Sequence, residues 1–416
     1  MPFVDKFSYS CSATIAAQRG LDKRFGPLSQ RKWFSMAQIL FLALPLSSNP
    51  KTLLLITEHA PLSAGRAATG LSVRHTRMAQ IWAERGWTVC YAWPGKHASQ
   101  ASKNELGFDQ RLLGRLPASR ETVRMYLSVH EKAVVVLGYW ELARLLPMQI
   151  EGPLILDYVA PRLLEQSIEN PDALADDVRR LLPVLNRCDQ VWVGNQPQHD
   201  LMLPLMLMAG HEIKHDSCVR VVPISGPVSE LRTSNHKRPD RQKITLFHGG
   251  RDWPWRNSAA WLDAVHSIEH PPIELIDASQ ASQWQGFDDY LAGLDAIDIV
   301  LELSDENIER RYSQSFRASD ALCRGVPVIC NRFLPLAKWI EAYGAGWVVD
   351  TPEELRGLLG RISEDSKLLG NARSGAQKLA QARLDQQRNY GELVGEMQTL
   401  AARIKVHERP LLVTRQ

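Results

Sequence analysis

Two segments of this chain, KTLLLITE at 51–58 and KITLFHGG at 243–250, read as short apolar strands of the kind buried on both faces of a parallel sheet. Each opens a series in which strands alternate with helices, and that pattern builds a parallel sheet covered by helices on both faces. In the first series the small-residue loop HAPLSAGRAATG leads into a helix predicted over 71–85, with Leu71, Met78, Ala79 and Trp82 on one apolar stripe. Gly86 ends it and WTVCYAW is the next strand. Further strands are expected at 133–138, 153–158, 190–194 and 219–223, with helices around 172–187 and from Gln198. The second series continues with a helix near 258–266, the strands IELID, AIDIVLEL, VPVIC and AGWVVD, a helix over 316–324, and helices from Pro352 onward.

Between the two series lies SGPVSELRTSNHKRPDR (225–241), whose prolines, glycine and clustered charge suit an interdomain linker. The expected organisation is an extension over 1–50, an N-terminal Rossmann-like domain over 51–228, a linker over 229–242, a C-terminal Rossmann-like domain over 243–375 and a helical region over 376–416. Two domains also suit 416 residues, at roughly 100–200 residues per domain. Lys plus Arg number 49 against 46 for Asp plus Glu, and a net charge of +3 argues against a nucleic-acid partner. Any anion-binding charge must therefore be local.

The six cysteines are scattered without metal-site spacing, so no metal ligands are expected and a reduced, cytoplasmic setting is the economical reading. In the extension, Arg19, Lys23, Arg24, Arg31 and Lys32 precede MAQILFLALPL (36–46). That run falls short of the ~20 apolar residues a spanning helix needs, and Pro45 interrupts it. Two readings stand for it: a segment packed on the domain or poorly ordered, and a basic amphipathic contact with the inner face of an anionic membrane.

Function in doubly wound folds sits in the loops after strands. No GxGxxG or Walker loop follows any predicted strand, which excludes the common dinucleotide and P-loop chemistries. What remains are two loops in matching positions, Gly65-Arg66 and Gly249-Gly250-Arg251, where backbone N–H groups and an arginine can meet an anion. Each, taken singly, also reads as a plain turn. The stretch ERRYSQSFRASDALCRGVPVI (309–329) carries Glu309, Arg310, Arg311, Arg317 and Asp320 into a helix closed by Gly325. An acid there either stabilises the helix dipole or accepts ribose hydroxyls.

These segments together resemble retaining glycosyltransferase family 4, and in particular a bacterial subgroup of it. The likeness runs through TEHAPLSAGRAATGLSVRHTRMAQIWAERGWTVCYA, GPLILDYVAPRLLEQ, NQPQHDLMLPLMLMAG, HGGRDWPW and FRASDALCRGVPVI. It implies an α/β fold of the GT-B kind, two Rossmann-like doubly wound parallel-sheet domains facing across a cleft, with the acceptor on the first and a nucleotide-sugar donor on the second. The family's Glu, seven residues, Glu pattern sets its second acid five residues before a glycine. Asp320 holds that place, since 325 − 320 = 5, and the resemblance implies that it grips the donor ribose. The first place falls on Tyr312, so Glu309 becomes the displaced acid near the donor sugar.

By the same resemblance Gly249, Gly250 and Arg251 cradle the donor diphosphate and Arg317 is a second cation; otherwise Arg317 pairs only with Glu309 or Asp320. Asp157, ending a strand, either faces the cleft as a catalytic group or caps a turn, and Gly65-Arg66 forms the acceptor-side loop. Trp253 and Trp255 line the nucleotide pocket or belong to the core. The implied activity is metal-independent hexosyl transfer with retention of configuration, without a cofactor, onto a glycan or lipid-linked hydroxyl acceptor in surface polysaccharide or glycoconjugate synthesis. A non-catalytic sugar- or nucleotide-binding partner and a nucleotide-sugar epimerase are the alternatives.

Overall fold

Every residue of TLLLI in β1 (Thr52–Ile56) is buried, a pattern that only an interior parallel strand can satisfy. In the computed structural model, which describes residues 51–62, 68–94, 113–213, 218–228, 243–250, 253–270, 272–278 and 286–403, β1 lies near the middle of a seven-stranded sheet. The N-terminal extension, Gly65, Arg66, Arg251 and residues 229–242 fall outside the described residues, so the expectations placed on them do too. Around β1 stand β2 (Thr88–Trp93), β3 (Leu113–Pro117), β4 (Val134–Leu137), β5 (Leu154–Asp157), β6 (Gln190–Val193) and β7 (Val219–Val221). Their order is β3-β2-β1-β4-β5-β6-β7 and every pairing is parallel.

The helices of this half are α1 (Gly70–Glu84), α2 (Arg120–Val129), α3 (Arg162–Glu169), α4 (Leu174–Arg187) and α5 (Gln196–Met208). Thr69 caps α1 by accepting the Ser72 N–H at 3.2 Å, and Gly86 takes φ +82 just past its end. The helix is buried almost all round: Met78, Ile81 and Trp82 enter the core, and so do Arg74, His75 and Arg77. Charged groups buried on that scale require partners, which come from other elements.

The second sheet contains β8 (Ile244–His248), β9 (Ile273–Asp277), β10 (Ile299–Glu302), β11 (Val328–Asn331) and β12 (Gly346–Val349), all parallel in the order β12-β11-β10-β8-β9. From β8 the chain first builds outward to β9, then returns to the other side at β10. The switch point, where open α/β sheets bind ligands beyond their strand ends, lies between β8 and β10. Its helices are α6 (Ala259–His266), α7 (Phe287–Leu294), α8 (Ile308–Tyr312), α9 (Phe316–Cys323), α10 (Ala337–Tyr343), α11 (Pro352–Glu364) and α12 (Ser366–Leu379).

The chain crosses between the halves at two adjacent points. Gly226 donates its N–H to Leu384 O at 3.0 Å and accepts the Gln386 N–H at 3.1 Å, forming a parallel bridge with Asp385. A π-helical turn over Ala380–Leu384 delivers the chain to that bridge. The final helix, α13 (Gln386–Arg403), then lays Tyr390, Leu393, Val394 and Met397 into the core formed by Trp82, Trp87 and the first sheet. Among the described residues no helix is long and apolar enough to cross a membrane.

Candidate active site

Carrying the β10–β8 register on from Val300↔Phe247 by two residues sets Glu302 level with Gly249, so both reach the switch point together. His248 ends β8 fully buried, with Nε2 3.1 Å from Ser258 Oγ and Nδ1 without a hydrogen-bond partner. Burial, and then Arg256 and Arg317, push its pKa down to about 4, so the ring is neutral near pH 7. Gly250 follows with φ +97, a conformation that glycine adopts without strain. A Cβ there would collide with Arg317 Nη1 and come within 3.0 Å of Arg256 Nη1. Two guanidinium groups therefore press directly against the glycine turn.

Arg317 sits in the first turn of α9, a quarter exposed, with Nε lacking a hydrogen-bond partner. Its carboxylate neighbour is Glu302, with Nη2 3.4 Å from Oε2, and not Glu309 or Asp320 as the sequence suggested. Glu302 also receives Arg310 Nη2 at 2.5 Å and Ser315 Oγ at 2.5 Å. Burial alone would raise its pKa, but Arg317, Arg256 and Arg310 overcome that and hold it far below the carboxylate range. Arginines outnumber acids around Glu302, so the C-terminal edge of the second sheet carries surplus positive charge behind a turn of backbone amides. Backbone amides faced by arginines are the chemistry that suits an anion with paired oxygens.

The remaining expected residues scatter around this centre. Glu309 lies on α8, buried, with Oε2 unbonded and Arg310 Nη1 3.8 Å away. Burial, opposed by Arg310 and reinforced by Glu165 from α3 of the first half, pushes its pKa up to about 7. Tyr312, at the end of the same helix, accepts a hydrogen bond from Asn195 Nδ2 at 2.7 Å through its carbonyl. Trp253 and Trp255 stack with centroids 5.0 Å apart and planes within 7°, the inner ring buried and the outer 39% exposed.

Two acids are not where a cleft-facing role would put them. Asp157 is fully buried: Arg74 donates Nε to Oδ2 at 2.8 Å and Nη2 to Oδ1 at 2.9 Å, and His75 Nε2 lies 3.0 Å from Oδ2. Burial would raise its pKa, yet Arg74 and His75 hold it at about 2. Its partners come from α1, which turns Arg74 and His75 inward over the end of β5. Asp320 is likewise committed, its Oδ1 accepting Arg77 Nη1 at 2.7 Å. Arg256, Glu302, His248 and Arg77 were not singled out from sequence; the acid interrupting the apolar run IVLEL was the signal for Glu302.

No family model matches this sequence, and no curated protein does. Solved structures do match in shape. Sucrose-phosphate synthase from Thermosynechococcus elongatus is 14% identical, covering 85% of this chain and 99% of its own, with TM-score 0.62. HepE from Anabaena, solved with UDP-glucose, is 13% identical over 84% of this chain and 100% of its own, with TM-score 0.58. WaaG, a glycosyltransferase involved in lipopolysaccharide biosynthesis, is 14% identical over 83% and 99%, with TM-score 0.54. The chain has the GT-B glycosyltransferase fold. In GT-B terms the seven-stranded sheet belongs to the N-terminal half and the arginine-lined switch point to the C-terminal half. Among the described residues no three His, Cys, Asp or Glu side chains gather as a metal site.

Proposed function

We propose that this protein is a glycosyltransferase that moves a sugar from a nucleoside-diphosphate donor to a hydroxyl acceptor. The observation that carries the reading is the Gly250 turn, pressed against Arg317 and Arg256 at the switch point of a GT-B fold. In sugar transfer the leaving diphosphate gains negative charge as the anomeric carbon becomes cationic. Fixed arginines and the dipole at the start of α9 stabilise that charge without reorganising during the reaction.

In this reading the diphosphate lies over Gly249 and Gly250, gripped by Arg317 and Arg256. Glu309, whose pKa burial raises, meets the donor sugar hydroxyls from the second half. Asp157 acts indirectly, by fixing Arg74 and His75 beneath the first half's cleft surface. Retention of configuration, hexose as the transferred group, metal independence and a glycan or lipid-linked acceptor in surface polysaccharide synthesis are parts of the proposal that rest on the sequence resemblance.

Incubation with UDP-, GDP-, ADP- and TDP-sugars, reading both thermal stabilisation and slow donor turnover, tests it. Stabilisation by one nucleotide together with turnover is expected. Neither effect with any donor would overturn the proposal, and binding without turnover in the presence of acceptor extracts would mark a non-catalytic protein.

A further inference from the structure

A carboxylate is an unexpected foundation for an anion site, because like charges repel across the short distances involved. Glu302 is 1% exposed at the end of β10 and nevertheless has neighbours on α8, on α9 and its N-cap, and on the loop after β8. Its Oε1 accepts Arg310 Nη2 at 2.5 Å and lies 3.9 Å from Arg256 Nε, on the loop after β8. Its Oε2 accepts Ser315 Oγ at 2.5 Å and lies 3.4 Å from Arg317 Nη2. Ser315 is in turn the N-cap of α9, accepting the Ala318 N–H at 3.2 Å. Arg310 is held further by Ser304 Oγ and Ser313 Oγ, both at 3.2 Å, so it serves as a strut.

We propose that Glu302 is a positioning residue for the diphosphate: it aims Arg256 and Arg317 at the Gly250 turn and fixes the start of α9, without touching the ligand. This rests on the nucleotide-sugar reading above and deepens it. Long arginine side chains lose rotamer freedom when they bind, and a charge-paired, hydrogen-bonded carboxylate removes that freedom in advance. Ser315 transmits the same constraint to α9, whose dipole then points at one fixed place.

The proposal makes a prediction opposite in sign to that of a simple field. Replacing Glu302 by glutamine removes a negative charge, so the field alone would tighten anion binding. Loss of positioning weakens it.

The test measures dissociation constants by calorimetry for inorganic pyrophosphate and for whichever of UDP, GDP, ADP and TDP stabilises the wild type most. Melting temperatures are recorded in parallel for wild type, Glu302→Gln, Glu302→Asp and Ser315→Ala. Folded Glu302→Gln should bind both ligands about tenfold more weakly or worse, as expected for a lost charge-assisted network. Glu302→Asp, which keeps the charge, should recover part of the affinity. Ser315→Ala, which keeps the carboxylate but removes both its tie to α9 and the cap of that helix, should weaken binding by roughly threefold.

A folded Glu302→Gln that binds as tightly as wild type, or more tightly, overturns the proposal. Where Glu302→Gln does not fold, wild-type affinity in Ser315→Ala overturns it instead. A wild type that binds neither pyrophosphate nor any of the nucleotides overturns the glycosyltransferase reading itself, a separate result from unequal behaviour among the variants.

Discussion

Arg77 of α1 and Asp320 of α9 meet at 2.7 Å, 243 positions apart in sequence, with side chains only 5% and 4% exposed. The pair joins the two halves of the molecule beside the first crossing, where Arg77 also donates to Ser225 O at 3.0 Å. Burial raises the Asp320 pKa against the pull of Arg77. Removing one partner of such a pair leaves an uncompensated buried charge, at a cost of about 3–5 kcal/mol. Arg77→Met should therefore lower the unfolding midpoint sharply, while Arg77→Met with Asp320→Leu recovers most of it. Denaturation of the singles and the double decides this, and an Arg77→Met protein as stable as wild type would refute it.

The same carboxylate is the one the sequence assigns to a donor ribose, and the two roles separate experimentally. Asp320→Asn should lower stability more than nucleotide affinity, because Oδ1 is already occupied by Arg77. A ribose contact would show as weaker UDP binding with pyrophosphate binding unchanged, and that result would restore the ribose role.

Gly250→Ala should fold with a modest loss of stability yet bind pyrophosphate and UDP at least about tenfold more weakly. The added Cβ occupies the place of Arg317 Nη1, at a φ of +97 that disfavours any other residue. Calorimetry alongside circular dichroism reads both effects, and unchanged affinity in a folded variant would remove the phosphate role from this turn.

Glu309 supplies a pH signature. Its folded pKa of about 7 stands above the ordinary glutamate value of 4.5, so the folded state binds the extra proton. The stabilising contribution is complete below about 4.5 and is lost as pH rises through about 7. Glu309→Gln should flatten that slope in a series of melting temperatures between those limits. Parallel curves for wild type and variant would show that Glu309 titrates normally.

Asp157 has the opposite sign. Its pKa is depressed from 3.8 to about 2, so its contribution is present above 3.8 and disappears as pH falls through about 2. Asp157→Asn leaves Arg74 buried without its counter-charge and should cost several kcal/mol at neutral pH, on the order of 3–5. Acid unfolding followed by fluorescence checks this. A variant indistinguishable from wild type at neutral pH would mean that Arg74 finds another partner.

Apolar strands such as TLLLI and VVVL were readable because burial on both faces leaves no polar alternation to misinterpret. LGRLP in β3 was not, since a glycine, an arginine and a proline give little strand preference; its pairing with β2 forms it. The short α7, FDDYLAGL, had too few turns for a clear stripe. At the site, the glycine turn and Arg317 were legible as chemistry. Their partner was not, because Glu302 is brought beside Arg317 by the β10–β8 pairing, whereas Asp320 gives its carboxylate to Arg77 and Glu309 lies next to Arg310. Asp157 misled for a related reason: strand ends usually open toward a cleft, and only the inward pitch of Arg74 in SVRHTRM reverses that.

The doubled crossing at Gly226 and Asp385 is one peptide pairing wide, and the Arg77–Asp320 pair and the Asn195–Tyr312 hydrogen bond tie the halves beside it. Ser225, Asn389 and Tyr390 are laced together by hydrogen bonds at the crossing, so the two passages of the chain are bound to each other by side chains as well as by backbone.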